Sequence, residues 1–197
     1  MAQPTNTFDT YDSVGEREDL SDVIYSISPT DTPFISSAAK TKATAVLHEW
    51  QTDALAAAAT NNAVIEGDEA TLDAVSATTR LSNSSQIMDK TVVITGTQES
   101  VDKAGRASEL AYQIAKKAKE LKRDMEATIT GNQAEVAGNS STARKFGSLG
   151  AWIETNDDLG ASGSSGGAGN TARTDGTQRA FTEASLKSVI KSVWNEG

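Results

Sequence analysis

A stripe of apolar side chains over residues 106–130 constrains the fold more than any other feature of this sequence. The stripe residues follow one another at intervals of three or four, so they share one face of an α-helix: Leu110, Ile114, Ala118, Leu121, Met125 and Ile129. Gly131 and Asn132 would cap its end. A helix of about 25 residues is about 37 Å long, roughly twice the average. A solvated surface helix would also show the stripe, but the length favours a structural spine.

The opposite face of the predicted helix is basic. Its cations are Lys116, Lys117, Lys119, Lys122 and Arg123. Four acidic residues are interleaved with them, which leaves a net charge of +2 across residues 106–130. A solvated face with pairs of opposite charge is therefore favoured over a nucleic-acid site.

The segments before this helix predict extended structure with few core residues. Residues 1–18 read as an arm, residues 19–27 as a short helix, and Pro29 and Pro33 as a rigid corner that docks Phe34 and Ile35. Strand-like patterns cover residues 45–51, 71–81 and 87–97, with an acidic tip at residues 66–69. A two-stranded ribbon is marginal alone, so we expect the ribbon at 45–97 to lie on something else.

The segments after the long helix alternate between apolar docking elements and loops. Residues 146–153 form a short apolar segment, and residues 158–177 are rich in Gly, Ser, Ala and Asn, which predicts a flexible loop. Thr182 is a natural N-cap for a second helix. The apolar face of that helix would be formed by Leu186, Val189, Ile190 and Val193.

Charge and composition exclude several classes of protein. The net charge is −9, and it divides into −10 for residues 1–75 and +1 for residues 76–197. This acidic front half argues against non-specific nucleic-acid binding there, and a basic part of a neighbouring copy is a possible partner. The chain has no cysteine, and neither a secretory leader nor a membrane-spanning run is visible. We expect a protein made in the cytoplasm, without membrane contact.

No motif supports catalysis or a cofactor. Residues 163–167 match a nucleophile elbow with Ser165, but the flanking strand and helix are missing from the pattern, and His48 is the only histidine. The carboxylates of the acidic tip lack the spacing of a calcium loop, so an exposed tip is the favoured interpretation: Glu66, Asp68, Glu69 and Asp73. We therefore expect a structural protein, not an enzyme, with no cofactor and no metal.

The order of these segments resembles the major capsid proteins of tailed phages, and the resemblance is closest to the group similar to the capsid protein of phage SU10. It covers nearly the whole chain. The matching motifs are Ser28-Pro-Thr-Asp-Thr-Pro-Phe, His48-Glu-Trp-Gln-Thr-Asp-Ala-Leu, Gln86-Ile-Met-Asp-Lys-Thr to Thr95-Gly-Thr-Gln, Lys119-Glu-Leu-Lys-Arg-Asp-Met-Glu, Gly147-Ser-Leu-Gly-Ala-Trp-Ile-Glu-Thr-Asn and Val193-Trp-Asn-Glu-Gly.

The resemblance implies an α+β fold of the HK97 type. Residues 1–40 would be the N-terminal arm and 41–97 the extended loop (E-loop), a β-ribbon that overlaps a neighbouring subunit. Residues 98–146 would be the peripheral domain with its spine helix at 106–130. Residues 147–197 would complete that domain and begin the axial domain. Members of the family continue beyond Gly197, so we expect a fold that is incomplete at its C-terminus.

The resemblance also implies a function in the virion. The chain would assemble in the host bacterial cytoplasm into hexamers and pentamers of an icosahedral head that encloses double-stranded DNA without sequence-specific binding. Partners would be copies of itself and possible portal, scaffold or decoration proteins. The alternative is another virion component, such as a decoration or scaffold-binding protein. Candidate contact residues between subunits are His48, Trp50, Asp53, Glu66, Asp68 and Lys90.

Overall fold

The computed structural model describes residues 5–196. Within that range the chain forms five helices and two strands. In chain order they are α1 (Pro33–Ser37), β1 (Leu47–Thr52), β2 (Thr79–Ser84), α2 (Gly96–Ser100), α3 (Glu109–Ile129), α4 (Leu149–Trp152) and α5 (Glu183–Glu196). The chain divides into two units, one of Met1–Thr30 with Lys90–Glu120 and one of Asp31–Asp89 with Leu121–Gly197.

The long helix is confirmed as α3, which has 21 residues. It begins three residues later than predicted because Ser108 caps it: the Ser108 hydroxyl accepts a hydrogen bond from the Ala111 amide at 3.2 Å. Arg106 therefore lies outside the helix, where it pairs with Glu109. Within the helix Lys117 pairs with Glu120 at 2.6 Å, as expected for a charged solvated face.

The ribbon consists of β1 and β2, paired antiparallel with Leu47 opposite Ser84 and Thr52 opposite Thr79. A cross-strand ion pair joins Glu49 to Arg80. The predicted strand at 45–51 is thus confirmed, whereas in the run 71–81 strand structure begins only at Thr79. Residues 53–78 between the strands contain no helix or strand and are exposed throughout.

The strand predicted at residues 87–97 is wrong. Residues 85–95 contain no strand, and Thr95 instead caps α2 by accepting a hydrogen bond from the Gln98 amide at 3.4 Å. The β-branched run from Thr91 to Ile94 favours extended backbone. A strand also requires a partner, and no other described segment pairs with this run.

The helix predicted at residues 19–27 is also wrong, because this segment has no helical residue. Val23, Ile24 and Ile27 are β-branched and lose side-chain freedom in a helix. The extended segment instead lies along the first part of α3. Ile24 and Tyr25 line a groove of about 370 Å³ there, together with Tyr112 and Ala115 of the helix. The Gly105 amide donates to the Asp22 carboxylate at 3.3 Å.

The centre of the second unit is small and largely polar. Ala151 and Ser148 of the α4 region are 0% and 1% exposed. The Ser148 hydroxyl accepts from the Gln133 amide at 2.6 Å and donates to the Gly131 carbonyl at 2.8 Å. The apolar segment predicted to dock at 146–153 is therefore seated on the chain that follows α3.

The loop at 158–177 is more ordered than its Gly and Ser content predicts. Two isolated antiparallel bridges, Ser164 with Thr174 and Gly167 with Thr171, tie it to itself. Gly169 is buried, and its amide donates to the Ala151 carbonyl at 3.1 Å. Close backbone packing by glycine, not flexibility, thus explains this composition.

The last helix, α5, begins where predicted. The Thr182 hydroxyl accepts a hydrogen bond from the Ser185 amide at 3.3 Å, which confirms Thr182 as the N-cap. The apolar face of α5 remains uncovered, since Leu186, Ile190 and Val193 are each about half exposed.

Candidate assembly surface

An acidic loop, residues 53–78, leaves the ribbon between β1 and β2. It carries five carboxylates and no Lys or Arg. Its apolar side chains face solvent: Leu55, Leu72 and Val75 are 96–99% exposed, and Val64 and Ile65 are 84% and 78% exposed. A loop that combines negative charge with uncovered apolar side chains is suited to docking on a basic surface with apolar pockets.

Aromatic rings hold in place the part of the ribbon that packs on α4, which we call the ribbon root. Trp50 of β1 packs against Trp152 of α4 with ring centroids 5.1 Å apart and planes tilted by 41°. His48 extends the cluster, with its ring 5.9 Å from that of Trp50. Offset and tilted rings at these distances attract one another, so the ribbon is anchored at its base while the acidic loop beyond it is exposed.

Hydrogen bonds of Asn83 in β2 and of Gln86 just after β2 also hold the ribbon in place. The Asn83 amide group imitates a paired backbone, because it donates to the Gly147 carbonyl at 3.0 Å and accepts from the Gly147 amide at 2.8 Å. The Gln133 amide group donates to Gln86 at 2.9 Å and to the Phe146 carbonyl at 2.8 Å. This network could not be predicted from the sequence, since isolated Asn and Gln residues in a polar ribbon have no diagnostic spacing.

An apolar groove of about 270 Å³ runs along the second half of α3. Its lining consists of Gln86, Met88, Leu121, Met125, Ile129 and Phe146. Lys122 and Arg123 are exposed on the same half of the helix. Methionines adapt their shape to different partners, so this groove suits an apolar side chain carried by an acidic segment.

The structure brings together only some of the predicted contact residues. His48 and Trp50 form one cluster at the ribbon root. Asp53, Glu66 and Asp68 are exposed on the acidic loop, where Asp53 accepts from the Ala54 amide and Asp68 from the Glu69 amide, both at 3.0 Å. These bonds are local and leave each carboxylate open to solvent.

Lys90 belongs to the first unit, whereas the other five candidates belong to the second. It is exposed. The pKa of Glu120 is lowered chiefly by a hydrogen bond from Lys117, and the positive charge of Lys90 makes a small further contribution. Contact of any of the six candidates with another subunit stays a prediction.

Carboxylates stabilise the start of α3. Glu99 accepts from the Glu109 amide at 3.0 Å and the Leu110 amide at 3.3 Å. A hydrogen bond from Ser108 is the main cause of a lowered pKa of Glu99. The pKa of Glu109 is lowered chiefly by a hydrogen bond from Gln113, with Arg106 next in effect. Negative charge at a helix N-terminus is favourable, so the ionised forms hold this end of the helix.

The residues of the catalytic and metal-binding motifs are not joined by any described contact. Among residues 5–196 no described hydrogen bond joins His48 to Ser165, and His48 instead contacts Trp50. No group of three or more potential metal ligands is found in the described part of the chain. Over the same part, no helix has the length and apolarity required to cross a bilayer.

The described residues are thus distinguished by exposed charged and apolar surfaces. The sequence profile of the SU10 major capsid protein family matches residues 3–197. The chain is also 40% identical over 136 residues to the major capsid protein of Escherichia phage Phieco32. The chain belongs to the SU10 major capsid protein family. The aligned part is 69% of this chain and 38% of that relative's length.

Proposed function

We propose that the chain is a subunit of an icosahedral phage head and that it adopts the HK97 fold. In this proposal residues 1–40 are the N-terminal arm, 41–97 the E-loop, and 98–146 the peripheral domain around α3. Residues 147–197 complete that domain and begin the axial domain. Hexamers and pentamers of the protein enclose double-stranded DNA, and assembly takes place in the bacterial cytoplasm.

One observation carries the proposal: the apolar surface of the chain is largely uncovered. Ala151 is the only buried hydrophobic side chain among the described residues. Large hydrophobic side chains are exposed in both units, and Val14, Ile27, Leu55 and Val75 are 97–99% exposed. Burial of apolar surface is the main favourable term in folding and association, so this surface requires a partner. Obligate assemblies supply one, since their interfaces commonly exceed about 2,000 Å².

The acidic loop is proposed to dock on the α3 region of a neighbouring copy. Its carboxylates match the exposed Lys122 beside the apolar groove, and its uncovered leucines and valines match the groove itself, which is lined by Met125. Such complementarity fixes the register of association more than its strength. A salt-dependent assembly is therefore expected, because exposed charge pairs are screened.

Zero-length cross-linking of carboxylates to amines tests this contact in an equal mixture of ¹⁴N- and ¹⁵N-labelled protein. We expect mixed-isotope peptide pairs that join Glu66 or Asp68 to Lys119 or Lys122. The double variant Glu66→Gln/Asp68→Asn should lose these pairs. The matched control Glu16→Gln/Glu18→Gln removes the same charge from the arm and should retain them. Pairs of a single isotope alone would contradict a contact between copies.

A further inference from the structure

The corner helix α1 lacks the cap that its own sequence would normally supply. Its N-cap residue is Thr32, whose side chain makes no capping hydrogen bond, and Pro33 follows at the first helical position. Proline has no amide hydrogen. The first two donors that require a partner are therefore the amides of Phe34 and Ile35.

A single carboxylate distant in sequence satisfies both donors. Oε1 of Glu126 accepts from the Phe34 amide at 2.8 Å, and Oε2 of Glu126 accepts from the Ile35 amide at 2.9 Å. The partners are 92 and 91 residues apart in the chain. Charge-assisted bonds to both carboxylate oxygens define the position and the orientation of the corner together. The N-terminus of α1 is therefore capped by a residue of α3 and not by a neighbouring residue in the sequence.

The position of Glu126 is unfavourable for α3 itself. Glu126 lies in the last turn of the helix, which contains no basic side chain. A negative charge near a helix C-terminus opposes the helix dipole. Glu126 thus favours the attachment of α1 and disfavours the C-terminal end of α3.

We infer that Glu126 is the positioning residue of the N-terminal arm. It fixes the corner Pro33–Ser37 on α3 and so holds the link by which residues 1–32 are joined to this corner. Residues 1–32 carry seven acidic residues and one basic residue, and a fixed link limits how this acidic segment meets a neighbouring copy. The inference rests on the proposed shell function, because a fixed link matters only when the acidic segment meets another subunit.

The variant Glu126→Gln tests the attachment with almost no change in size. Glutamine offers one acceptor oxygen and places an NH₂ group against the second amide donor. We expect hydrogen exchange at Phe34 and Ile35 to accelerate at least tenfold, with unchanged helical circular dichroism. Glu120→Gln removes the same charge from α3 but faces Lys117, and it should leave both amides protected. Unchanged exchange in Glu126→Gln would overturn the attachment.

A second variant separates the attachment to α3 from simple helix capping. Thr32→Asp supplies a local N-cap carboxylate, so the double variant Thr32→Asp/Glu126→Gln should regain amide protection without regaining the link to α3. By electron microscopy, we expect irregular particles for Glu126→Gln and for the double variant, and regular ones for Glu120→Gln. Regular particles from the double variant would overturn the positioning role. Absence of particles from the unmodified protein would instead contradict the proposed function. The hydrogen-exchange data would still test whether Glu126 attaches the corner to α3.

Discussion

At the scale of single residues, close approach of backbone to side chains holds the loop after α4 in place. Gly169 has a φ of 80°, in the left-handed region, and a Cβ added there would lie 2.6 Å from Cε2 of the Trp152 ring. Both the backbone angle and the space demand glycine. The tryptophan that anchors the ribbon thus depends on a residue in a distant loop.

Substitution of Gly169 by alanine is expected to destabilise the second unit by roughly 1–3 kcal/mol, the usual cost of overpacking. Thermal unfolding followed by tryptophan fluorescence measures this, because Trp152 lies directly against the substituted position. Gly167→Ala is the matched control in the same loop. A Cβ there would have its nearest neighbour at 3.6 Å, so equal melting temperatures for the two variants would contradict this account.

Residue-level roles were only partly predictable from the sequence. Phe34 and Ile35 were expected to dock, and both are half-buried. Gly169 and Ser148 could not be identified, because small residues in a Gly- and Ser-rich stretch favour flexible backbone unless a distant side chain packs on them. Only the fold reveals that side chain.

At the scale of elements, side-chain hydrogen bonds act together with the strand ladder to hold the ribbon. Asn83→Ala removes both hydrogen bonds to Gly147, at about 0.5–1.5 kcal/mol each. We expect faster hydrogen exchange at Gly147 and over β2. The control Ser82→Ala alters the adjacent strand position, whose partner is Glu49. An equal effect from both variants would show that Asn83 has no special role.

The start of α3 should weaken in acid. The pKa values of Glu99 and Glu109 are lowered from 4.5 in the folded chain, so their stabilisation is present above about pH 4.5 and is lost as the pH falls through the folded values. Glu99→Gln should accelerate exchange at the Glu109 and Leu110 amides at pH 7, and this difference from the unmodified protein should shrink as the pH falls below about 4.5.

Two results would contradict this acid-sensitive cap. One is a difference between Glu99→Gln and the unmodified protein that stays constant with pH. The other is an equal effect from Glu66→Gln, which removes a carboxylate from the acidic loop and leaves the cap intact.

Elements differed in how far the sequence determined them. Helices α3 and α5 were predicted correctly because an apolar period and a capping hydroxyl are local signals. The predicted strand at 87–97 and helix at 19–27 were wrong. Local propensity could not show that Thr91–Thr95 lacks a pairing partner, or that Ile24 lies along α3.

At the scale of the whole molecule, the sequence predicted a chain with few core residues, and within residues 5–196 one hydrophobic side chain, that of Ala151, is fully buried. The resemblance to the family lies in the order of several motifs along the chain, since no single motif is specific to the family. The side chains that build the ribbon root come from segments more than 40 residues apart in sequence. Their contacts depend on the fold and could not be derived from spacing.

Electron microscopy of the purified protein over a series of concentrations and salt strengths tests the central claim most directly. We expect closed shells with hexameric and pentameric capsomers, in which the acidic loop of one copy lies over α3 of the next, and a steep dependence of assembly on salt. Soluble monomers at every concentration and salt strength would contradict it.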